Sequence, residues 1–148
     1  MKFEIDRIDI SNYNLFEDMV FWRENGFERR PLQAPVSERI KKELENPNLY
    51  LYAIMVDNRY VGWLSLVYIP KVGRWKDGGH VYVDELWVAP SFRGRGFGKA
   101  LLQKADELKT ELEATGIRLY VNVNNPIAQK LYGSCGYRED GQAYFMEK

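Results

Sequence analysis

The sequence holds one cysteine and one histidine among its 148 residues. Cys135 therefore has no intrachain disulfide partner, and with so few soft ligands a cysteine–histidine zinc cluster is excluded. An excess of charge is missing too. The 21 Lys and Arg residues balance 21 Asp and Glu residues, which removes any general pull toward nucleic acid. Long apolar runs are also lacking. The longest uncharged stretches, Tyr60 to Pro70 for example, have 11 residues, against the roughly 17–25 that a membrane-spanning helix requires. The opening MKFEIDRID is charged and alternating and has no apolar core of a signal peptide. Repeats, linkers and low-complexity tracts are not seen. These absences lead to the expectation of a soluble, reduced, cytoplasmic protein, with no metal and no nucleic-acid or membrane partner. The length fits a single domain over residues 1–148. What is present is apolar material: 45% hydrophobic and 14% aromatic residues, too much for a disordered chain and enough for a core.

The periodicities set out an order of β, α, α, β, β, β, α, β, α, β. Phe3 to Ile10 begins as an alternating strand. Asn14 and Glu17 have the spacing of a capping box, Phe16, Met19, Val20 and Arg23 follow at helical spacing, and Gly26 is placed to end the helix. Val36 to Glu45 reads as a short second helix stopped by Pro47. Leu49 to Val56 and Arg59 to Ile69 are rich in β-branched and aromatic residues, and Asp57-Asn58 between them reads as a hairpin turn. The glycines of 70–79 mark a loop, and Val81 to Val88 reads as a strand. Gly94 to Leu112 carries an apolar stripe of Phe97, Leu101, Leu102, Ala105, Leu108 and Leu112 and reads as a helix. Leu119 to Val123 reads as a strand. Asn125 precedes Pro126 at the start of another helix, and Tyr137 opens a last short strand. A strand–helix–strand unit over 81–123 implies parallel neighbours, while the hairpin before it is antiparallel. The expected fold class is therefore α/β with a mixed sheet flanked by helices.

The chemistry concentrates where the strand ending Leu86-Trp87-Val88 passes through Ala89-Pro90 into Arg93-Gly94-Arg95-Gly96-Phe97-Gly98-Lys99. Backbone N–H groups at a helix start, with the helix dipole behind them, form an anion site. Glycines allow close approach of a ligand to the backbone. Arg93, Arg95 and Lys99 add three positive charges, and no acidic residue lies between Pro90 and Gln103. A diphosphate suits such a site; the alternative is a solvated basic helix start. A Walker loop is excluded, because Arg93 stands where its first glycine belongs and Ala100 where its Ser or Thr belongs. The Rossmann fingerprint is excluded because the third glycine falls one residue early, and the RNA-recognition signature does not match.

Two motifs together carry a resemblance. Arg93-x-x-Gly96-x-Gly98, preceded by Leu86-x-Val88-x-Pro90 and followed by Leu101-Leu102, is similar to the acetyl-CoA motif of the GCN5-related N-acetyltransferases (GNAT superfamily). Asn125-x-x-Ala128-x-x-Leu131-Tyr132-x-x-x-Gly136-Tyr137 resembles the later motif of the same family, in which Phe usually stands at the position of Tyr137. The two blocks lie within residues 81–137; the first 48 residues match only in helix order.

The resemblance implies a GNAT-like fold and acetyl-CoA as co-substrate. It implies that the backbone of Leu86, Trp87 and Val88 pairs with the pantetheine arm where two parallel strands splay. The pyrophosphate would rest on the N–H groups of Gly94, Arg95, Gly96, Phe97, Gly98 and Lys99, flanked by Arg93 and Arg95. Asn125 and Ala128 would touch the arm from the other side, although Asn125 also reads as a helix cap. Tyr132 takes the position of the general acid that protonates the departing thiolate; its alternative is a packed ring with a satisfied hydroxyl. For the base, Asp84 and Glu85 are the candidates. Alternation puts Asp84 on the face of Leu86 and Val88 and Glu85 on that of Trp87, and polyamine acetyltransferases of the family carry a functional carboxylate at the position of Asp84. His80 is expected to be exposed, Cys135 small and buried, and Trp22, Trp63, Trp75 and Trp87 core or cleft lining. The loop Lys71 to Asp77 is a candidate cover for the acceptor. The short stretch after Tyr137 suggests an open acceptor cleft or one completed by a second copy in a homodimer. The expected function is acetyl transfer to a primary amine of a small molecule. The competing readings are acetylation of a protein N-terminus or lysine, and a non-catalytic acyl-CoA-binding module.

Overall fold

The computed structural model describes residues 2–73 and 78–148. Five strands form one sheet in sequential order: β1 (Phe3–Arg7), β2 (Leu49–Val56), β3 (Arg59–Ile69), β4 (His80–Val88) and β5 (Ile117–Arg118). The first four are antiparallel neighbours, and β5 runs parallel to β4. The β2–β3 turn follows from its two residues: Asp57 and Asn58 both take positive φ, 49° and 61°, the geometry of a tight hairpin that twists with its strands.

Helices α1 (Tyr13–Asn25), α2 (Glu38–Leu44), α3 (Phe97–Glu111) and α4 (Pro126–Ser134) complete the fold. The apolar stripe of α3, Phe97, Leu101, Leu102, Ala105 and Leu108, packs on Ile54, Leu64, Leu66, Val81, Val83 and Val88, and Leu131 and Tyr132 of α4 join this core. The other face of the sheet offers Ile8, Ala53, Tyr60 and Trp63 to Met19, Phe16 and Val20 of α1 and Leu44 of α2. Burying each such large side chain contributes about 1.5–3 kcal/mol.

Four local expectations are corrected. The first helix begins at Tyr13, so Asn14 lies inside it and no capping box forms; Asn12 instead ties the approach together, accepting from the Asp9 N–H and donating to the Arg7 carbonyl and the Tyr60 hydroxyl. The fifth strand pairs only at Ile117 and Arg118, not over 119–123, and its ladder with β4 ends at Tyr82, two residues before the β4 irregularity at Asp84. Residues 137–148 form no strand, and Tyr144 is 95% exposed. His80 is buried, only 7% exposed, inside the β3–β4 ladder opposite Ile69. Burial, helped by Arg118 and Lys71, holds its imidazole below the usual histidine range.

Candidate functional site

β4 sets the geometry. Against β3 it pairs along its length, but with an irregularity: Ser65 faces Glu85 and the next residue, Leu66, faces Val83, leaving Asp84 as the extra residue of a β-bulge. A bulge puts two residues opposite one and bends the strand. Against β5 the pairing stops at Tyr82. From Val83 to Val88, β4 therefore shows an edge with no strand beside it among the described residues, a fork of the kind an extended ligand can enter by adding itself to the sheet. Leu86, Trp87 and Val88 lie on this free stretch. Gly62 makes their position possible. A Cβ there would meet the Trp87 carbonyl at 2.7 Å.

The bulge also corrects the alternation. Val81 and Val83 face the α3 core, as do Leu86 and Val88, which are an odd number of residues further on. The phase slips at Asp84. Glu85 shares its face with Trp87, as expected, since their partners Ser65 and Trp63 alternate with Leu64. Asp84, in contrast, does not follow the face of Leu86. Its carboxyl is raised above the usual carboxylate range by burial and, next, by Glu85. Tyr82 is also raised, first by burial and then by Asp84 and Tyr120, so Tyr82, Asp84 and Glu85 form one electrostatic cluster at the fork.

β4 leads through a 3-10 turn (Pro90–Phe92) into the glycine-rich corner. Gly94 and Gly96 take φ of +74° and +85°, a conformation costly for residues with a Cβ. Gly96 then stands as the residue before α3, and the first bond into the helix runs from the Ala100 N–H to its carbonyl, at 3.0 Å. The N–H groups ahead of Ala100 are the ones a helix start cannot satisfy internally. Gly98 lets α3 and α4 approach: a Cβ there would lie 3.2 Å from a terminal methyl of Leu131. Arg93 does not point wholly outward. Its Nε donates to the Val88 carbonyl at 2.8 Å and so braces the end of β4. The Arg95 guanidinium lies 5.4 Å from the centre of the Phe92 ring.

At the start of α4, Asn125 accepts from the Ala128 N–H through its side-chain oxygen at 3.1 Å, which is the cap its position before Pro126 implies. The amide nitrogen of the same side chain is not used by that bond. Tyr132 packs its ring edge-on to Tyr137, with centroids 5.9 Å apart, and burial raises its hydroxyl above the usual phenol value. Among the described residues no hydrogen-bond partner holds that hydroxyl.

On the α1 face lies an aromatic group: Trp63 and Trp87 at 5.0 Å, Trp22 edge-on to Trp87 at 5.9 Å, and Phe16 edge-on to Trp63 at 5.5 Å. Arg23 rests over the Trp63 ring at 5.1 Å and donates to Glu85 at 3.0 Å. Next to this group a cavity of about 240 Å³ opens between α1, α2 and β2. Arg7, Tyr13, Phe16, Ile40, Glu43 and Tyr50 are among its walls, and Ser65, the β3 partner of Glu85, lines its floor. Sequence reasoning missed Arg23 and Ser65. They come to Glu85 through helix packing and strand register, neither of which leaves a local motif. Trp75 and most of the Lys71 to Asp77 loop lie outside the described residues.

The profile of the acetyltransferase (GNAT) family matches residues 13–137. The chain is 30% identical over 98 residues to a putative ribosomal protein bS18-alanine N-acetyltransferase of Bacillus subtilis, a match covering 66% of this chain and 60% of that protein. The chain thus spans about 60% of that curated relative's length. Among solved structures, an aminoglycoside acetyltransferase from an uncultured soil metagenomic sample superposes with a TM-score of 0.81 at 21% identity, covering 99% of this chain and 95% of that one. An aminoglycoside N-acetyltransferase in complex with CoA superposes with a TM-score of 0.76 at 18% identity, covering 98% of each. At these identities the likeness is one of fold, and the fold, the fork and the profile agree: the chain belongs to the acetyltransferase (GNAT) family.

Proposed function

We propose that the protein transfers an acetyl group from acetyl-CoA to a primary amine of a small molecule, by direct attack of the amine on the thioester. The observation that carries this reading is the fork. Among the described residues, an unpaired β4 edge from Val83 to Val88 runs into a basic, glycine-cornered helix start, with the Asp84 carboxylate at the bulge, and the Tyr132 hydroxyl of α4 has no hydrogen-bond partner. The donor set fits the co-substrate. Main-chain groups of Leu86, Trp87 and Val88 suit the amides of a pantetheine arm. The N–H groups of Gly94, Arg95, Gly96, Phe97, Gly98 and Lys99, with the dipole of α3, suit a pyrophosphate. Asn125 keeps a side-chain N–H₂ for the arm, and Ala128 leaves room beside it.

The chemistry then divides among side chains of this chain. An amine of pKa near 10 is protonated at neutral pH, so a base must take its proton. Asp84 stands at the bulge and its raised pKa makes it a better proton acceptor than an ordinary aspartate; Glu85 is already engaged by Arg23. The N–H groups of the β4 edge would stabilise negative charge developing on the thioester oxygen. Tyr132, kept protonated by burial, holds the proton that the leaving sulfur needs. Acetyl-CoA supplies the activated acyl group; the protein supplies alignment and proton transfer.

A small acceptor is favoured over a protein terminus by the 240 Å³ cavity, bounded by α1 and α2 and floored by Ser65. The relative acting on a ribosomal protein keeps peptide acceptors in the test. Release of free thiol from acetyl-CoA, followed with a panel of amines, aminoglycosides and N-terminal alanine peptides, decides. Turnover is expected with the small amines. Turnover confined to peptides would replace this reading, and tight CoA binding without any turnover would make the protein a binding module.

A further inference from the structure

The arrangement of Arg23, Glu85 and Trp63 answers a question about the acceptor, and it rests on the catalytic reading above. An ammonium group entering beside β4 would seek what recognises cations: carboxylates and aromatic faces. Glu85 stands on the face of Trp63 and Trp87, and Asp84 is its neighbour in the chain, at the bulge. One half of this apparatus is already filled. The Arg23 guanidinium is bonded to Glu85 at 3.0 Å and lies over Trp63 at 5.1 Å, making the two contacts a second ammonium of the substrate would make. Asp84, by contrast, has no cation paired with it among the described residues, and its carboxyl is raised rather than lowered. The cavity wall offers little in compensation. Of its two charged residues, Arg7 is held by the Leu49 carbonyl and the Tyr50 ring, and Glu43 is bonded to Arg39.

We propose that Arg23 sets the charge of the acceptor. By occupying Glu85 it leaves one carboxylate for one ammonium, so that amines carrying a single positive charge are taken ahead of polycations of the same size. Arg23 is a specificity residue in this scheme and touches no reacting atom. Without it, Glu85 and the Trp63 face become a second cation subsite alongside the first.

The test compares butylamine with 1,4-diaminobutane, which share a carbon frame and differ by one ammonium. The quantity read is the ratio of kcat/KM for the diamine to that for the monoamine, measured on the whole chain with acetyl-CoA. The wild type should favour the monoamine. Arg23→Gln should raise the ratio roughly fivefold, as expected for freeing one half-exposed carboxylate, with kcat for the monoamine little changed. Arg23→Lys, which keeps the charge, should hold the ratio within about twofold of wild type. Glu85→Gln should lower the ratio, because Arg23 then stands uncompensated; it carries the test independently if Arg23→Gln does not fold. A ratio unmoved in both variants overturns the inference and leaves the acetyltransferase reading intact. A wild type that acetylates neither amine overturns the inference as well, and the wider panel of acceptors then judges the catalytic reading separately.

Discussion

In the proposed mechanism two residues divide the proton traffic, Tyr132 and Asp84. Burial raises the Tyr132 hydroxyl; like an ordinary phenol it keeps its proton through the neutral range, and in the proposed mechanism it gives that proton to the thiolate. Tyr132→Phe should lower kcat by about 10²-fold, the lower end of the range for a positioned general acid. Because the lost atom is a single hydroxyl with no partner among the described residues, CoA affinity by calorimetry and the urea midpoint should stay as in wild type. Asp84 is raised by burial and then by its neighbour Glu85. A base works only when deprotonated, so kcat/KM should fall as pH drops through this raised pKa, on the alkaline side of where an ordinary aspartate would titrate. Asp84→Asn should remove that acid limb and lower the plateau; a profile of unchanged shape would assign the base elsewhere. The residue types were legible from the motifs alone. The partner of Glu85 was not, because Arg23 lies 62 residues away and reaches it only through the packing of α1 on the sheet.

At the level of elements, the β4 bulge is the device that matters, and it was written in the chain. Val81 and Val83 keep a step of two, Leu86 and Val88 keep a step of two, and between Val83 and Leu86 the step is three. Strict alternation read through Asp84-Glu85 without noticing the slip and so misassigned the face of Asp84. The hairpin at Asp57-Asn58 and the stripe of α3 were legible because each is a local pattern with one structural solution. The end of β5 was not, because Leu119 to Val123 has the composition of a strand, and whether it pairs depends on β4, whose ladder with β5 ends at Tyr82. The close contact that holds the free edge in place is equally non-local. Gly62→Ala should cost about 1–3 kcal/mol, the range for overpacking, since its Cβ would meet a backbone oxygen at 2.7 Å. It should also weaken CoA binding by moving Trp87 and Val88. Gly98→Ala is the matched control. Its Cβ meets the far end of Leu131 at 3.2 Å, which can swing aside, and alanine favours the helix by about 1 kcal/mol over glycine. Urea midpoints should fall for the first variant and hold for the second; equal losses would mean that the β3–β4 approach is not the tight point of the fold.

On the scale of the whole molecule, the two faces of the sheet carry separate tasks. The α3 face is an apolar core closed by α4, and it holds the two motifs at a fixed separation. The α1 face holds the aromatic group, the ion pair and the cavity, the features the proposed choice of acceptor rests on. The fork between β4 and β5 is where the halves meet, so a ligand lying in it would tie α3, α4 and β4 together and stabilise the native state by mass action. Coenzyme A at 100 times its dissociation constant should add about 2.7 kcal/mol, which for a domain of this size raises Tm by roughly 5–10 °C. Pantetheine, which can pair with the β4 edge but brings no pyrophosphate to the start of α3, should bind much more weakly and raise Tm less at equal concentration. The gap between the two should narrow as salt is raised, because only the phosphate contacts depend on charge. Equal shifts for the two ligands, insensitive to salt, would mean that the amides and guanidiniums around Gly96 hold no phosphate and that the glycine-rich corner serves only to turn the chain.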